Sequence, residues 1–525
     1  MNKPLLLSLA AATLLGSNLN AESMYDRIQA MELEMTKMKK ELTTLKAEKA
    51  SVTEEESDVT ADDEESEDED EKGEDADSEE ESDDEEEEEE MDVEEEIRDM
   101  QEEITELNKA TNGNRLKFGV DYRFAVENLN YEMGNGDEAK NDAFMTNRLW
   151  MNMSWAATKN LSFKGQLAYN KAFGARSGAS QNNMYESFDW ISNENAYDDI
   201  LRVRSAYFLY SDNDASIPWS FSVGRRASTN GHLINLRDDD QAASPMGHSI
   251  NVEFDGMSAK LGFGDYVDGM YVKFCAGRGM SNAAPKFTST PYTSVNDVSA
   301  NTNIDLTGLI FVPYDNGHYS LGTQYYYANN LIDMVNPMDQ SSGFNTVGGM
   351  HSITANFTAN GIGDEWSDFL DDSIFFVSGA MSITDPNEGQ VMFDVTKPGE
   401  SATGYSGWVG LQIPSLISED GRWGFEYNYG TEFWKSITYG EDTNIGSKMA
   451  TRGSAYEAYF TEYLVEDILS MQLRYTYIDY EYTGSNGFFG DTTGKSALIE
   501  DLNPAEAAGH VDIAQDIRFY LRYKY

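Results

Sequence analysis

Beyond residue 115 apolar and polar residues alternate with period two. The stretch from Leu116 is the clearest: Leu116, Phe118, Val120, Tyr122, Phe124 and Val126 alternate with Lys117, Gly119, Asp121, Arg123, Ala125 and Glu127. Successive side chains of a strand point to opposite faces, so this stretch predicts a strand with one apolar and one polar face. The next strand sets Leu149, Met151, Met153 and Trp155 on its apolar face and Arg148, Trp150, Asn152 and Ser154 on the other. After a turn at Thr158-Lys159-Asn160, a third shows Leu161, Phe163, Leu167 and Tyr169. The same pattern predicts thirteen more strands, sixteen in all, near 200–210, 218–226, 249–263, 270–277, 303–312, 318–328, 348–359, 373–384, 406–413, 422–430, 453–463, 468–481 and 514–525. Within 249–263 the parity changes: Ile250, Val252 and Phe254 give way to Met257, Ala259, Leu261 and Phe263. A β-bulge at Asp255-Gly256 is therefore expected.

The connections alternate in length. Eight long ones cover 128–143, 172–199, 227–248, 278–302, 329–347, 385–405, 431–452 and 483–513, and seven short ones lie between them. In the last strand Ile517, Phe519, Leu521, Tyr523 and Tyr525 share one face, while Arg518, Tyr520, Arg522 and Lys524 share the other. A terminal aromatic preceded by apolar residues at every second position resembles the closing strand of bacterial outer-membrane β-barrels. Strands with one face in lipid and one in a watery lumen need this alternation, and only a closed barrel satisfies their backbone in a membrane. The predicted fold is thus an all-β membrane barrel of about sixteen antiparallel transmembrane strands over 115–525. Its long loops would face outside and its short turns the periplasm.

The N-terminal part reads differently. Lys3 followed by the apolar run Leu5–Leu15 and by Ala21 predicts a secretory signal over 1–21. Met24, Ile28, Met31, Met35, Met38, Leu42 and Leu45 then recur at 4-3 spacing, which predicts a coiled-coil segment over 22–49. A lone amphipathic helix on another surface is the alternative. From Glu54 to Glu96 there are 31 acidic residues and one basic residue, Lys72. This acidic tract (50–92) has too few apolar residues to form a core and reads as disordered. Asp68, Asp70, Gly73 and Glu79 faintly echo a calcium loop, but Lys72 stands where an oxygen ligand belongs. The heptads resume at Val93, Ile97, Met100, Ile104 and Leu107, a second coiled-coil segment over 93–112. A seam of this kind permits dimer or trimer. A coiled coil directly before a barrel resembles some trimeric outer-membrane porins, which points to a homotrimer.

Charge and chemistry narrow the reading further. The net charge is −55, and the stretch from Glu54 to Glu96 carries −30 of it. Cys275 is the only cysteine, so no intrachain disulfide or thiolate cluster can form. The five histidines show no ligand spacing, and no catalytic grouping of serine, histidine and acid is evident. Neither enzyme, cofactor, metal site nor nucleic-acid partner is expected.

Sixteen strands enclose enough space for an aqueous channel. Arg123, Arg148, Arg202, Arg204 and Arg226 fall on lumen-facing parity, and the third long loop carries Asp238, Asp239 and Asp240 in NLRDDDQAASPMG. This layout resembles general porins, in which the third loop folds into the barrel and opposes acids to wall arginines. The resemblance implies a constriction built from these eight residues. The alternative is that the aspartates sit in a solvated outer loop and the arginines pair with Asp121, Glu127 and Glu253. GRRASTNG (224–231), NLRDDD (235–240) and INVEFDG (250–256) also resemble an uncharacterised porin-like outer-membrane family. The sequence therefore predicts a passive outer-membrane porin of a Gram-negative bacterium, surrounded by outer-membrane lipid and passing small hydrophilic solutes or ions. Its coiled coil would contact peptidoglycan or another periplasmic partner. An adhesin or envelope tether anchored by the barrel is the competing reading.

Overall fold

A computed structural model describes residues 117–174, 198–281, 303–334, 344–363, 366–394, 396–418, 420–438, 441–483 and 496–525. The signal, the heptad segments and the acidic tract lie outside these residues. Lys117–Tyr525 forms one compact unit.

The described strands are, in order, β1 (Lys117–Met133), β2 (Glu138–Ala156), β3 (Leu161–Ala172), β4 (Asp198–Asp212), β5 (Trp219–Ser228), β6 (Ile250–Gly262), β7 (Tyr271–Met280) and β8 (Ile304–Asp315). They continue as β9 (Tyr319–Met334), β10 (Phe344–Asn360), β11 (Ile374–Pro386), β12 (Thr403–Pro414), β13 (Gly421–Gly430), β14 (Ile437–Thr438), β15 (Gly453–Val465), β16 (Leu469–Tyr480) and β17 (Val511–Lys524). Each strand pairs antiparallel with the next, with β13 paired directly to β15, and β17 returns to β1 from Asp121↔Lys524 to Met133↔Val511. Sixteen strands thus close an antiparallel β-barrel, as the alternation predicted. The two residues of β14 run parallel to Ile250 and Asn251 of β6 and stand apart from the wall.

The wall is inside-out relative to a water-soluble core. Its outward face carries Phe118 (64% exposed), Val203, Met257, Phe274, Leu309, Val377, Leu473, Ile517 and Leu521. Its inward face buries Asp121, Arg123, Glu127, Glu457, Arg474, Arg518 and Arg522. Closure gives every described wall strand a neighbour on both sides. No described helix is long and apolar enough to cross a membrane.

Two expectations change. The connection placed at 128–143 is a tight turn over 134–137, because β1 and β2 stay paired as far as Glu132↔Glu138. Leu129 and Tyr131 of this extension pack inward against Ile445, Tyr480 and Ile499. Its other face is polar in sequence, so the apolar-out signature that marks the lower wall is lost.

The second change concerns β6. It is one strand with unbroken register against β5 and β7 and has no bulge at Asp255-Gly256. Ile250, Val252 and Phe254 point inward together, onto Ile304, Leu306 and Ile310 of β8 and Tyr326 of β9. The inner face here is apolar, and that inversion mimics a parity change in the sequence. Pairing with β7 begins only at Asp255, where β6 leaves the wall. A row of glycines, Gly224↔Gly256↔Gly277, crosses β5, β6 and β7 at that point. A Cβ on Gly256 would lie 2.3 Å from the Ala276 carbonyl oxygen, and Gly224 has φ +135°, so the bend requires residues without side chains.

Candidate functional site

Among the described residues two long loops enter the barrel. The third (229–249) leaves β5 and crosses to the opposite wall. A 3₁₀ turn, Ile234–Asp238, carries it over the lumen, and Asp239 reverses the chain in the left-handed conformation. Leu233 and Ile234 bury against Phe376, Trp408 and Met449. Polar anchors fix the rest. Arg237 donates to both Glu457 carboxylate oxygens at 2.9 and 3.2 Å, and its carbonyl accepts from Gln472 at 2.8 Å. Asp238 accepts from the Tyr520 hydroxyl at 2.8 Å. Asp239 accepts from Tyr463 at 2.6 Å and pairs with Arg422 at 3.4 Å. Asp240 takes Arg522 at 3.0 Å and Lys524 at 2.7 Å.

The seventh long loop (431–452) enters as well. Composition alone did not mark it, although Phe433, Trp434, Ile437, Ile445 and Met449 make it too apolar for a solvated loop. Trp434 is 1% exposed and donates its indole N–H to the Met449 carbonyl at 2.7 Å. Asp442, at the loop's inner tip, is gripped by Arg123, with one bond at 2.6 Å, by Arg148 at 3.3 Å and by Arg518 at 3.8 Å. Its carbonyl accepts from Arg474 at 3.0 Å and from Arg518 at 2.5 Å. Lys448 joins Glu426 at 2.5 Å and Glu457 at 2.7 Å. The two loops also touch each other, through β14 against β6 and through Arg237 donating to the Glu441 carbonyl at 2.5 Å.

Such burial is tolerable only because the charges are paired. Burial pushes the Asp442 carboxyl up, but Arg123, Arg148 and Arg518 outweigh it and hold the group well below the usual carboxylate range. Asp238 is likewise raised by burial and lowered more strongly by Arg237, Arg522 and Arg123, which leaves it at about 2. Both loops are therefore held by ionised aspartates.

His248 closes the third loop. It hydrogen-bonds Ser378 at 2.8 Å and Ser406 at 2.9 Å, with Trp408 and Trp434 on its ring. Burial pushes its pKa down to about 3, so the native ring is neutral. An unfolded histidine titrates near 6.5 and takes up a proton that the native site refuses. The stabilisation is fully present above pH 6.5 and is lost as pH falls from there toward 3. Between pH 7 and pH 5 the protein is expected to lose about 2 kcal/mol through this group. Urea unfolding of the wild type and of His248→Gln at both pH values checks this. An equal loss in the two proteins rejects it.

The eight residues singled out in the sequence do not form one opposed set. Arg123 and Arg148 are buried beneath the seventh loop and face Asp442; Arg148 also stacks 3.5 Å over Trp150 and lies 3.6 Å from Asp121. Arg204 meets Glu253 at 3.2 Å, Gln166 at 2.6 Å and the Thr229 hydroxyl, and Arg202 is half-buried beside it on β4. Arg226 donates to Ser258 at 2.7 Å. Asp238, Asp239 and Asp240 turn to the far wall, where Arg422, Tyr463, Tyr520, Arg522 and Lys524 receive them. The third loop is inside and Arg123 acts on Asp238 through its charge, yet the hydrogen bonds and ion pairs of the loop's acids go to residues other than those five arginines. Pairs with Asp121 and Glu253, the alternative weighed in the sequence, are present. Arg518 takes Glu127 at 3.4 Å. Arg474, Arg518, Arg522, Asp442 and Glu457 were not singled out. Lumen parity on the last two strands was the signal that could have found the arginines.

Open space remains along β1–β9. A cavity of about 960 Å³ reaches the end of the barrel that carries the short turns. Eight Lys or Arg side chains and three aspartates line it, among them Arg204, Arg226 and Asp240. Among the described residues no group of His, Cys, Asp or Glu is arranged to hold a metal.

The chain is similar to OmpF of Salmonella typhi, solved with daunomycin, at 14% identity and TM-score 0.42, over 79% of this chain and 98% of that one. It is similar to OmpT, an outer membrane protein of Vibrio cholerae, at 12% identity and TM-score 0.41, over 78% and 97%. It is similar to OprB of Pseudomonas putida at 11% identity and TM-score 0.42, over 78% and 94%. No curated protein matches its sequence. One family model matches residues 138–525, from β2 to the last strand and across both inward loops, and the chain accordingly belongs to the protein family of unknown function DUF3373.

Proposed function

We propose that this protein is a porin of the Gram-negative outer membrane, a passive water-filled channel for small hydrophilic solutes or ions. One observation carries the reading: a closed sixteen-stranded wall with apolar side chains outside and charged ones inside, around a cavity of about 960 Å³. Wall strands of 10 to 19 residues are long enough to cross a bilayer, which takes ~9–11. The passage runs between the third loop and the β1–β9 wall. Arg204, Arg226 and Asp240 act there as its constriction. Arg123, Arg148, Arg202, Asp238 and Asp239 hold the loops and wall that shape it. The chain works as a homotrimer, with its heptads below the membrane near peptidoglycan and its acidic tract as a spacer.

The dense packing of the two loops supports a second reading, a barrel that serves only to anchor an envelope tether. Planar-bilayer recording of the detergent-purified full chain separates the two. Ohmic conductance steps in groups of three are expected. Silence from protein whose circular dichroism is that of a folded barrel would leave the anchor.

A further inference from the structure

Most lumen cations are neutralised by carboxylates: Arg123 and Arg148 by Asp442, Arg204 by Glu253, Arg237 by Glu457, and Arg522 by Asp121 and Asp240. The cavity beside β5, β6 and β7 is built differently. Arg226 is held by the Ser258 hydroxyl at 2.7 Å and lies 4.5 Å over the Tyr207 ring. The Lys260 ammonium sits 3.9 Å over the Tyr271 ring. Lys273 donates to the Ser244 hydroxyl of the third loop at 2.6 Å. All three line the one cavity, and each is positioned by a hydroxyl or an aromatic face, which leaves its charge in place. Lys260 and Lys273 are also directly opposite in register. Like charges so placed repel and destabilise a strand pair, so an anion between them would relieve a standing cost.

Of the acids in the cavity only Asp315 reaches these cations, through the field of its carboxylate at Lys260, and among the described residues none forms an ion pair with them. Asp121 and Asp240 are engaged by Arg522 at 2.6 and 3.0 Å, and the Asp315 carboxylate accepts the turn amide of Gly317 at 3.1 Å. Low-dielectric walls lined by one sign of charge concentrate ions of the other sign. Lysine and arginine clusters in pores select anions, and charge-assisted bonds to oxyanions are among the strong ones.

We infer that Arg226, Lys260 and Lys273 form a binding site for small multivalent oxyanions, of the phosphate or polycarboxylate class, inside the cavity. This rests on the channel reading for its transport consequence; the binding itself does not. The site concentrates such anions at the short-turn end of the barrel and passes them in preference to chloride.

Inorganic phosphate is the probe. Titrated into chloride, it is expected to lower the single-channel conductance of the wild type saturably. In the double variant Lys260→Gln/Lys273→Gln the half-blocking concentration is expected to rise about tenfold or more, equivalent to about 1.4 kcal/mol. Lys260→Arg/Lys273→Arg, which keeps the charge, is expected to retain the block. Ohmic steps that phosphate does not block, or a block unchanged in the glutamine variant, overturn the inference and leave the channel standing. Calorimetry of phosphate with the purified full chain decides the site without conductance. Binding heat that is present in wild type and arginine variant and lost in the glutamine variant supports it, and no heat in wild type rejects it, whether or not channels open.

Discussion

Asp442→Asn is expected to destabilise the folded barrel by about 3–5 kcal/mol, the usual cost of leaving buried charges without their partner. Asp442 is the single carboxylate between Arg123, Arg148 and Arg518, and all three guanidiniums stay buried when it is neutralised. Asparagine fills the same volume and keeps one acceptor, so packing is not the cause. Nearby Glu127 and Asp121 already serve Arg518, Arg148 and Arg522 and cannot replace it. The free energy is lost at the tip of the seventh loop, so loop release precedes loss of the wall. A lower urea midpoint in lipid vesicles, together with a larger and noisier single-channel conductance, is the expected pair of results. A variant indistinguishable from wild type in both would show that the seventh loop is held by its apolar residues alone.

Glu457→Gln is expected to have a comparable or larger effect, because this one side chain serves both loops. It accepts Arg237 from the third and Lys448 from the seventh, faces Arg474 at 3.9 Å on the wall, and accepts the Thr476 hydroxyl at 3.0 Å. Its side chain is fully buried. Lys448 retains Glu426 at 2.5 Å, and Arg237 retains only the more distant Asp238 at 3.9 Å. We expect a loss of about 3–5 kcal/mol. Adding Arg237→Met should recover part of it, since removing both members of a buried pair costs less than removing one. The comparison of single and double variants by denaturant unfolding isolates the pair. If Arg237→Met added its own loss on top of the first, the coupling between loop and wall would be absent.

The two effects differ in where they act. Asp442 ties the seventh loop to β1, β2, β16 and β17, whereas Glu457 ties the third loop to β15 and through Lys448 to the seventh. Between them the loops form one body with the far half of the wall, and the open cavity is left along β1–β9. The route left for a solute is set by which half of the lumen the loops fill.

Much of this was legible along the chain. Period-two alternation determined the strands, their number and which face meets an apolar environment, because the covalent geometry of an extended chain forces side chains to opposite sides whatever surrounds them. Phe118, Val120 and Tyr122 face outward and Arg148 and Trp150 inward, as read. The pattern failed where the environment was not the usual one. Ile250, Val252 and Phe254 looked outward because apolar residues commonly are, yet a patch of apolar lumen turned them in. Leu129 and Tyr131 looked like loop because the polar face of their strand lay beyond the apolar belt.

The site was less legible than the wall. Residue type and parity identified Arg123, Arg148, Arg204 and Arg226 as lumen cations, but partnership is a matter of distance between segments far apart in sequence. Arg123 meets Asp442 across 319 residues, and Arg522 meets Asp121 across 401. Local pattern carries no information about such pairs. The chain by itself determined that charge would line the interior; only the closed barrel, with two loops folded into it, decided which charges cancel and which are left facing water.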